Sequence, residues 1–284
     1  MKKWSLITIS LILSVVMLSA CGQKAAKNTD SDKANQPKNS TTSQAGGSNL
    51  TIDSGKLIIG LSADFPPYEF QVKSSNGTNE IVGFDVEIAK EIAKDLGVEL
   101  EIKDMPFSSV LNELKGERID LVLSGLSPTE ERKKEIDFSN IYYKAEQAVV
   151  TLAENKDKFK TMDDLKGKKI GVQMGSIQEG IAKEIEGAAL TSLAKNSDIV
   201  MQLKSGRVDV AIMEGPVAKS FVNNVEGLVI TDAKPEAEEE GYVVGIKKGH
   251  TEMVNQVNKT LDRLKAENKI EQFVLEATEL AEKK

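Results

Sequence analysis

Residues 114–125 read LKGERIDLVLSG, and residues 203–215 read LKSGRVDVAIMEG. Set side by side without a gap, Lys115 faces Lys204, Arg118 faces Arg207, and Asp120 faces Asp209. The apolar residues that follow each aspartate also match. Two looser copies lie upstream of these: GKLIIGL from Gly55 and GKKIGV from Gly167, each a basic turn leading into a short apolar strand. The order strand, helices, helix–turn–strand therefore occurs twice. The copies lie too far apart for adjacent units of a solenoid, so the pattern predicts two lobes of similar wiring.

The local patterns agree with that plan. Leu57–Ser62 is a continuous apolar run, as expected of a parallel strand covered on both faces. GFDVEIAKEIAKDLG predicts a helix with Asp85 as N-cap, Gly97 as terminator, and Ala89, Ile92, Ala93 and Leu96 along one face. Val98–Lys103 and Ile119–Ser124 read as further strands, with a helix over Ser108–Leu114 between them. The alternation gives an α/β fold of two doubly wound lobes, each a mostly parallel sheet. The expected division is 55–147 plus 243–284 for lobe 1 and 148–242 for lobe 2. Two crossings, near Glu146–Leu152 and Glu239–Val244, would form the hinge. Met253, Val257, Leu261 and Leu264 form an apolar stripe on a late helix. Ligands of open α/β sheets sit at the carboxyl ends of the strands, and small-molecule sites favour the junction of domains.

The N-terminus reads differently. Lys2 and Lys3 precede an apolar run from Leu6 to Leu18, which is a basic region and a short hydrophobic region, below the ~20 residues of a membrane span. Residues 1–20 are thus expected to be a signal peptide. The run ends in LSAC, Leu18 to Cys21, and this junction resembles a bacterial lipobox. Cleavage before Cys21 and lipidation of its thiol are the implied consequences. Cys21 is the one cysteine in the chain, which excludes a disulfide framework and a thiolate metal cluster. From Gly22 to Asn49 no apolar side chain is larger than alanine except Pro37, so residues 21–54 are expected to be the lipidated cysteine and a flexible linker. A net charge of −7 without a basic, aromatic-rich run argues against nucleic acid as a partner.

The corner after the first repeat carries the candidate chemistry. Ser127-Pro128-Thr129-Glu130 fits a helix capping box with proline in the first helical position. Arg132 follows about one turn on. A guanidinium near the N-terminal end of a helix makes a carboxylate receptor, because arginine binds both oxygens. Gly125 leaves a strand-end carbonyl open to a ligand. In the paired register Glu214 occupies the position of Gly125, offering a carboxylate from the opposite lobe for an ammonium. The combined site would hold a zwitterion.

The chain from Gly55 to about Phe273 resembles the family 3 solute-binding proteins of bacterial ABC importers, which bind polar amino acids. The resemblance rests on ADFPPYEF (Ala63–Phe70), IVGFDVEIAKEIAK (Ile81–Lys94), SGLSPTEERKKEIDFSNIYY (Ser124–Tyr143) and DLKGKKIGVQMGS (Asp164–Ser176). It implies the two-lobed, type II periplasmic-binding-protein fold. It also implies that Phe65 and Phe107 sandwich the ligand side chain, that Gly125 and Ser127 contact its charged ends, and that Arg132 holds its carboxylate. Gln173, Ser176, Ile177 and Gln178 would close over the ligand from lobe 2, and Glu214 stands where the family usually has aspartate. Ser62 falls where some relatives for basic ligands carry aspartate and others that bind arginine carry serine. Met213 would be a flexible apolar wall.

The implied function is capture of a free L-amino acid, basic and arginine first, with glutamine and other polar amino acids as alternatives, and its delivery to a membrane-embedded ABC permease. No cofactor or metal is expected. The implied setting is the extracytoplasmic face of the cell membrane, anchored in the lipid bilayer through Cys21 on a Gram-positive surface, as a monomer. Two rivals share the fold. A dehydratase-like enzyme would need a poised acid or base, and His250, the sole histidine, reads as a surface turn residue. A sensor or adhesin would use the same closure to signal.

Overall fold

A computed structural model of the chain describes residues 50–74, 76–237 and 241–282. The signal peptide, Cys21 and nearly all of the linker expected from the sequence lie outside the described residues. The described chain begins with strands Lys56–Leu61 (β1), Asp64–Phe65 (β2), Glu69–Lys73 (β3) and Asn79–Val82 (β4), then helix Phe84–Leu96 (α1) and strand Glu99–Asp104 (β5). Helix Phe107–Lys115 (α2), strand Leu121–Val122 (β6), helix Glu130–Glu135 (α3) and strand Ile136–Phe138 (β7) follow. Next come strands Gln147–Leu152 (β8) and Lys169–Gln173 (β9), helix Ile177–Glu184 (α4), strand Ala189–Leu193 (β10) and helix Asn196–Lys204 (α5). Strand Val210–Glu214 (β11), helix Gly215–Asn224 (α6), strands Leu228–Ile230 (β12) and Gly245–Lys247 (β13), and helices Thr251–Ala266 (α7) and Lys269–Ala281 (α8) complete it.

Two five-stranded sheets carry the lobes, in the orders β5-β1-β6-β13-β7 and β10-β9-β11-β8-β12. They match position by position. In each, the first three strands are parallel and the fourth is antiparallel. The antiparallel member is the strand whose chain arrives from the other lobe, β13 in the first sheet and β8 in the second. The duplicated sequence has a physical counterpart. Asp120 accepts the N–H of Ile58 at 2.7 Å and Asp209 accepts that of Lys169 at 2.8 Å, so each aspartate fastens its strand to the neighbouring strand of its sheet. Glycines two residues beyond those amides complete the match. A Cβ on Gly60 would lie 2.5 Å from Ile119, and one on Gly171 would lie 2.7 Å from Ile199 and 3.4 Å from Val208, the residue paired with Ile119.

Burial follows the alternation of β1. Leu57, Ile59 and Leu61 face one core with α1 and α7, while Ile58 faces a second core with Val110, Leu114 and Ile119. Met253, Val257, Leu261 and Leu264 pack into the first of these, as their spacing predicts. The second lobe has its own pair of cores on the two faces of its sheet.

Some local readings shift. Asp85 does not cap α1. Gly83 holds the N-cap position with φ 134°, and its missing Cβ lets the backbone approach the Tyr68 carbonyl. Asp85 is instead fully buried inside the first turn. The cap of α3 is Thr129, whose hydroxyl accepts the Arg132 N–H at 3.2 Å, two residues beyond the expected Ser127. Asp137 lies in β7, where it accepts the Gly249 N–H and pairs with Lys248. The first crossing falls at residues 142–146, because Gln147–Leu152 already pairs inside the second sheet. There Tyr143 and Tyr242 form an antiparallel bridge, so the two connecting segments run side by side.

Candidate functional site

The Ser124–Ser127 corner is fixed from behind by carboxylates. Asp85 accepts the Gly125 N–H at 3.0 Å and the Tyr142 hydroxyl at 2.9 Å. Glu69 accepts the Ser124 hydroxyl, whose oxygen in turn accepts the Ser62 N–H at 3.1 Å. Both acids are cut off from water, and burial pushes Asp85 up to about 7 and Glu69 well above the usual carboxylate range. Burial also outweighs the bonds that favour their charged forms.

On this scaffold Gly125 adopts φ +51°, and a Cβ there would lie 2.6 Å from the Phe65 ring. Glycine thus lets Phe65 rest on the corner. Replacing Gly125 by alanine is expected to cost ~1–2 kcal/mol for the left-handed backbone, and to displace Phe65 as well. A denaturant melt reads the first effect and ligand calorimetry the second.

Arg132 sits almost at the lobe junction. Its Nη1 donates to the Ser127 carbonyl at 2.8 Å and its Nη2 to the Gly175 carbonyl at 2.9 Å, the latter across the cleft. Its guanidinium carbon lies 5.6 Å from the Phe107 ring centre, within range of a cation–π contact. Gly175 is close enough to α2 that a Cβ would meet Ser108 at 3.1 Å. Arg132, Ser127, Phe107 and the 173–176 turn therefore converge.

Glu214 ends β11 and caps α6, accepting the Val217 N–H at 2.9 Å. Its other oxygen accepts the Tyr68 hydroxyl at 2.7 Å, a second bond between the lobes. Tyr68 stands 5.0 Å, ring to ring, from Phe65. Glu214 has no exposed surface, and burial pushes it up to about 8 against the opposing pull of its two donors. Arg132 and Glu214 each thus bond to the opposite lobe.

The remaining expected residues occupy the second lobe's edge of the cleft and the mouth. Ser176 caps α4, accepting the Glu179 N–H and donating to the Gln173 carbonyl at 2.7 Å. Ile177 is the first helical residue and is half-buried. Gln178 is buried and donates to Gln147, and Gln173 reaches the Ala194 carbonyl at 3.4 Å. Ser62 lines a cavity of about 190 Å³ between the lobes, with Asp64, Asp104 and Lys195 also on its wall. Met213 departs from expectation: it packs into the core of the second lobe and forms no flexible wall.

Several participants escape a reading of the sequence. Tyr68, Glu69 and Asp85 all lie inside motifs quoted above, but nothing local marks the bonds they make here. Their partners lie 40 to 146 residues away along the chain. Gln147 carried no signal at all.

A cleft between two hinged, similarly wired α/β lobes, spanned by an arginine from one side and a glutamate from the other, defines a type II periplasmic-binding protein. The family described as bacterial extracellular solute-binding proteins, family 3, matches residues 57–276, and the chain belongs to it. It is 38% identical over 279 residues to the arginine-binding extracellular protein ArtP of Bacillus subtilis (strain 168), covering 96% of both chains. It is 30% identical over 267 residues to a probable histidine-binding protein of Campylobacter jejuni, covering 94% of this chain and 95% of that one. Among solved structures it resembles the amino acid ABC transporter substrate-binding protein AbpA of Streptococcus pneumoniae bound to L-arginine, with TM-score 0.79 and 41% identity over 81% of this chain and 97% of the other. Among the described residues, no helix is long and apolar enough to cross a membrane.

Proposed function

We propose that this protein encloses a basic L-amino acid, arginine foremost, between its lobes outside the cytoplasm and delivers it to the permease of an ABC importer. The observation that carries this reading is Arg132, buried at the junction and bonded to carbonyls of both lobes. A guanidinium so placed is already desolvated and oriented for a carboxylate. Glu214 is the complementary acid for the α-ammonium. Phe65 and Phe107 flank the space between, with Gly125 and Ser127 on the first lobe and Gln173, Ser176, Ile177 and Gln178 on the second. The choice of a cationic side chain is supported by Asp104 on the wall of the cavity beside Ser62. The arginine-bound relatives support it independently.

In this reading the protein works by capture and release, with no bond made or broken in the ligand. Residues 1–20 are removed, and Cys21 carries the lipid that keeps the two lobes near the permease at the end of a linker. The test is a thermal-shift series on ligand-stripped protein against the twenty amino acids. A ligand at a hundred times its Kd adds ~2.7 kcal/mol, which for a chain of this size raises Tm by about 5–10 °C. Arginine is expected to give the largest shift, and the amino acid recovered afterwards is expected unchanged by mass. A flat series with every amino acid defeats the proposal, and recovery of an altered product replaces capture with turnover. Mass spectrometry of membrane fractions, showing or lacking a lipid on Cys21, decides the anchor.

A further inference from the structure

Helix α5 of the second lobe starts without a cap from its own segment. Its N-cap residue is Lys195, whose side chain makes no capping bond. The first turn of any helix presents backbone N–H groups that need acceptors, and it favours negative charge. Here the acceptor comes from the first lobe. Asp64, on β2, takes the Asn196 N–H on its Oδ2, and the neighbouring Ser197 N–H also favours its charged form. Its Oδ1 accepts the Ser62 hydroxyl at 3.1 Å, which orients the group from within its own lobe. Asn196 is almost fully buried at this junction. The contact separates two interlobe spaces. On one side is the cavity beside Ser62. On the other is a groove of about 320 Å³ walled by Pro66, Phe70, Phe221 and Val225.

We propose that Asp64 is a latch of the closed state: it caps α5 from the opposite lobe and so sets affinity for whichever amino acid the cleft encloses, as a positioning residue that acts through closure. The proposal rests on the reading of the cleft as one that closes over its ligand. Swinging the lobes apart removes Asp64 from Asn196 and leaves those N–H groups to water. A bond present only in the closed state shifts the open–closed equilibrium, and that shift enters the affinity of every ligand by the same factor. The change belongs in the dissociation rate, since docking is untouched.

The experiment compares Asp64→Ala and Asp64→Asn with the wild type. Stopped-flow dissociation is measured for arginine and for two other amino acids that bind, alongside amide exchange at Asn196 and Ser197. Loss of a helix cap corresponds to about a tenfold change. Asp64→Ala is expected to speed dissociation by that factor for all three ligands and to speed exchange at both amides in the loaded protein. Asp64→Asn keeps an oxygen that can accept an N–H and is expected to restore most of both. An effect confined to ligands with one kind of side chain would make Asp64 a ligand contact and overturn the latch. Unchanged dissociation and exchange in Asp64→Ala would overturn it too. Should the wild type bind no amino acid, the reading of the cleft fails by itself. The latch is then judged on amide exchange and on the interlobe distance between spin labels: wider separation in Asp64→Ala upholds it and an identical distribution ends it.

Discussion

Replacing Arg132 by alanine is expected to weaken amino-acid binding by at least about thirtyfold, the lower end for removing one partner of a buried, hydrogen-bonded charge pair. The reason is asymmetry. In the closed cleft the ligand carboxylate has left water, and without the guanidinium its charge has no compensating donor. The ligand-free protein has less at stake. The Arg132 side chain donates to two backbone carbonyls, Ser127 and Gly175, and the second of these is given up on opening. Its Tm is therefore expected to move by only a few degrees, with an unchanged circular dichroism spectrum. Arg132→Lys keeps the charge but loses the planar fork, so it recovers only part of the affinity. Titration calorimetry with arginine reads all three proteins. Wild-type affinity in Arg132→Ala would remove this residue from the site.

The parts of this protein that the sequence announces are those written in short-range periodicity. The two aspartates of the duplicated segment do the same work in each lobe because both precede a strand that must be fastened to its neighbour. Gly97 ends α1 in the left-handed region, and the 253–264 stripe is buried, because helical spacing alone determines which face is apolar. What the sequence conceals is set by tertiary contact. Asp85 has the local look of a helix cap, yet its carboxylate is claimed by the Gly125 N–H and the Tyr142 hydroxyl, 40 and 57 residues away. Ser127 yields the cap of α3 to Thr129 while its carbonyl takes up the Thr129 N–H and the Arg132 guanidinium. Both residues are equally good caps, so composition could not choose. Met213 looked like a pocket wall because a flexible side chain beside Glu214 invites that reading, but strand alternation turns it into the core. The interlobe bonds of Tyr68 and Asp64 have no local trace, since they exist only once both lobes have formed.

Glu214→Gln is expected to weaken binding about as severely as loss of Arg132, and its pH signature distinguishes it. Glutamine is nearly the same shape; its one oxygen can keep the Val217 N–H while its amide NH2 turns to donate to the Tyr68 hydroxyl oxygen, so the main loss is the capacity for charge. In the closed geometry, with no ammonium beside it, burial pushes Glu214 up to about 8, so there it is mostly protonated at neutral pH. An arriving ammonium requires the ionised form. Binding at pH 7 must then release most of a proton, and affinity must rise as pH climbs toward 8 and level off above it. Stability of the empty protein runs the other way. A carboxyl whose folded pKa exceeds its unfolded value binds more protons when native, so its contribution is full below about 4.5 and is lost as pH rises through about 8. Asp85, near 7, adds to the same trend over its own range. Between pH 5.5 and 8.5 the Tm of ligand-free protein is expected to fall while the shift produced by arginine grows. Calorimetry at pH 7 in buffers of different ionisation enthalpy gives the proton count directly. Wild-type protein that binds arginine without releasing a proton, or Glu214→Gln that still releases one, would assign the ammonium to another acceptor.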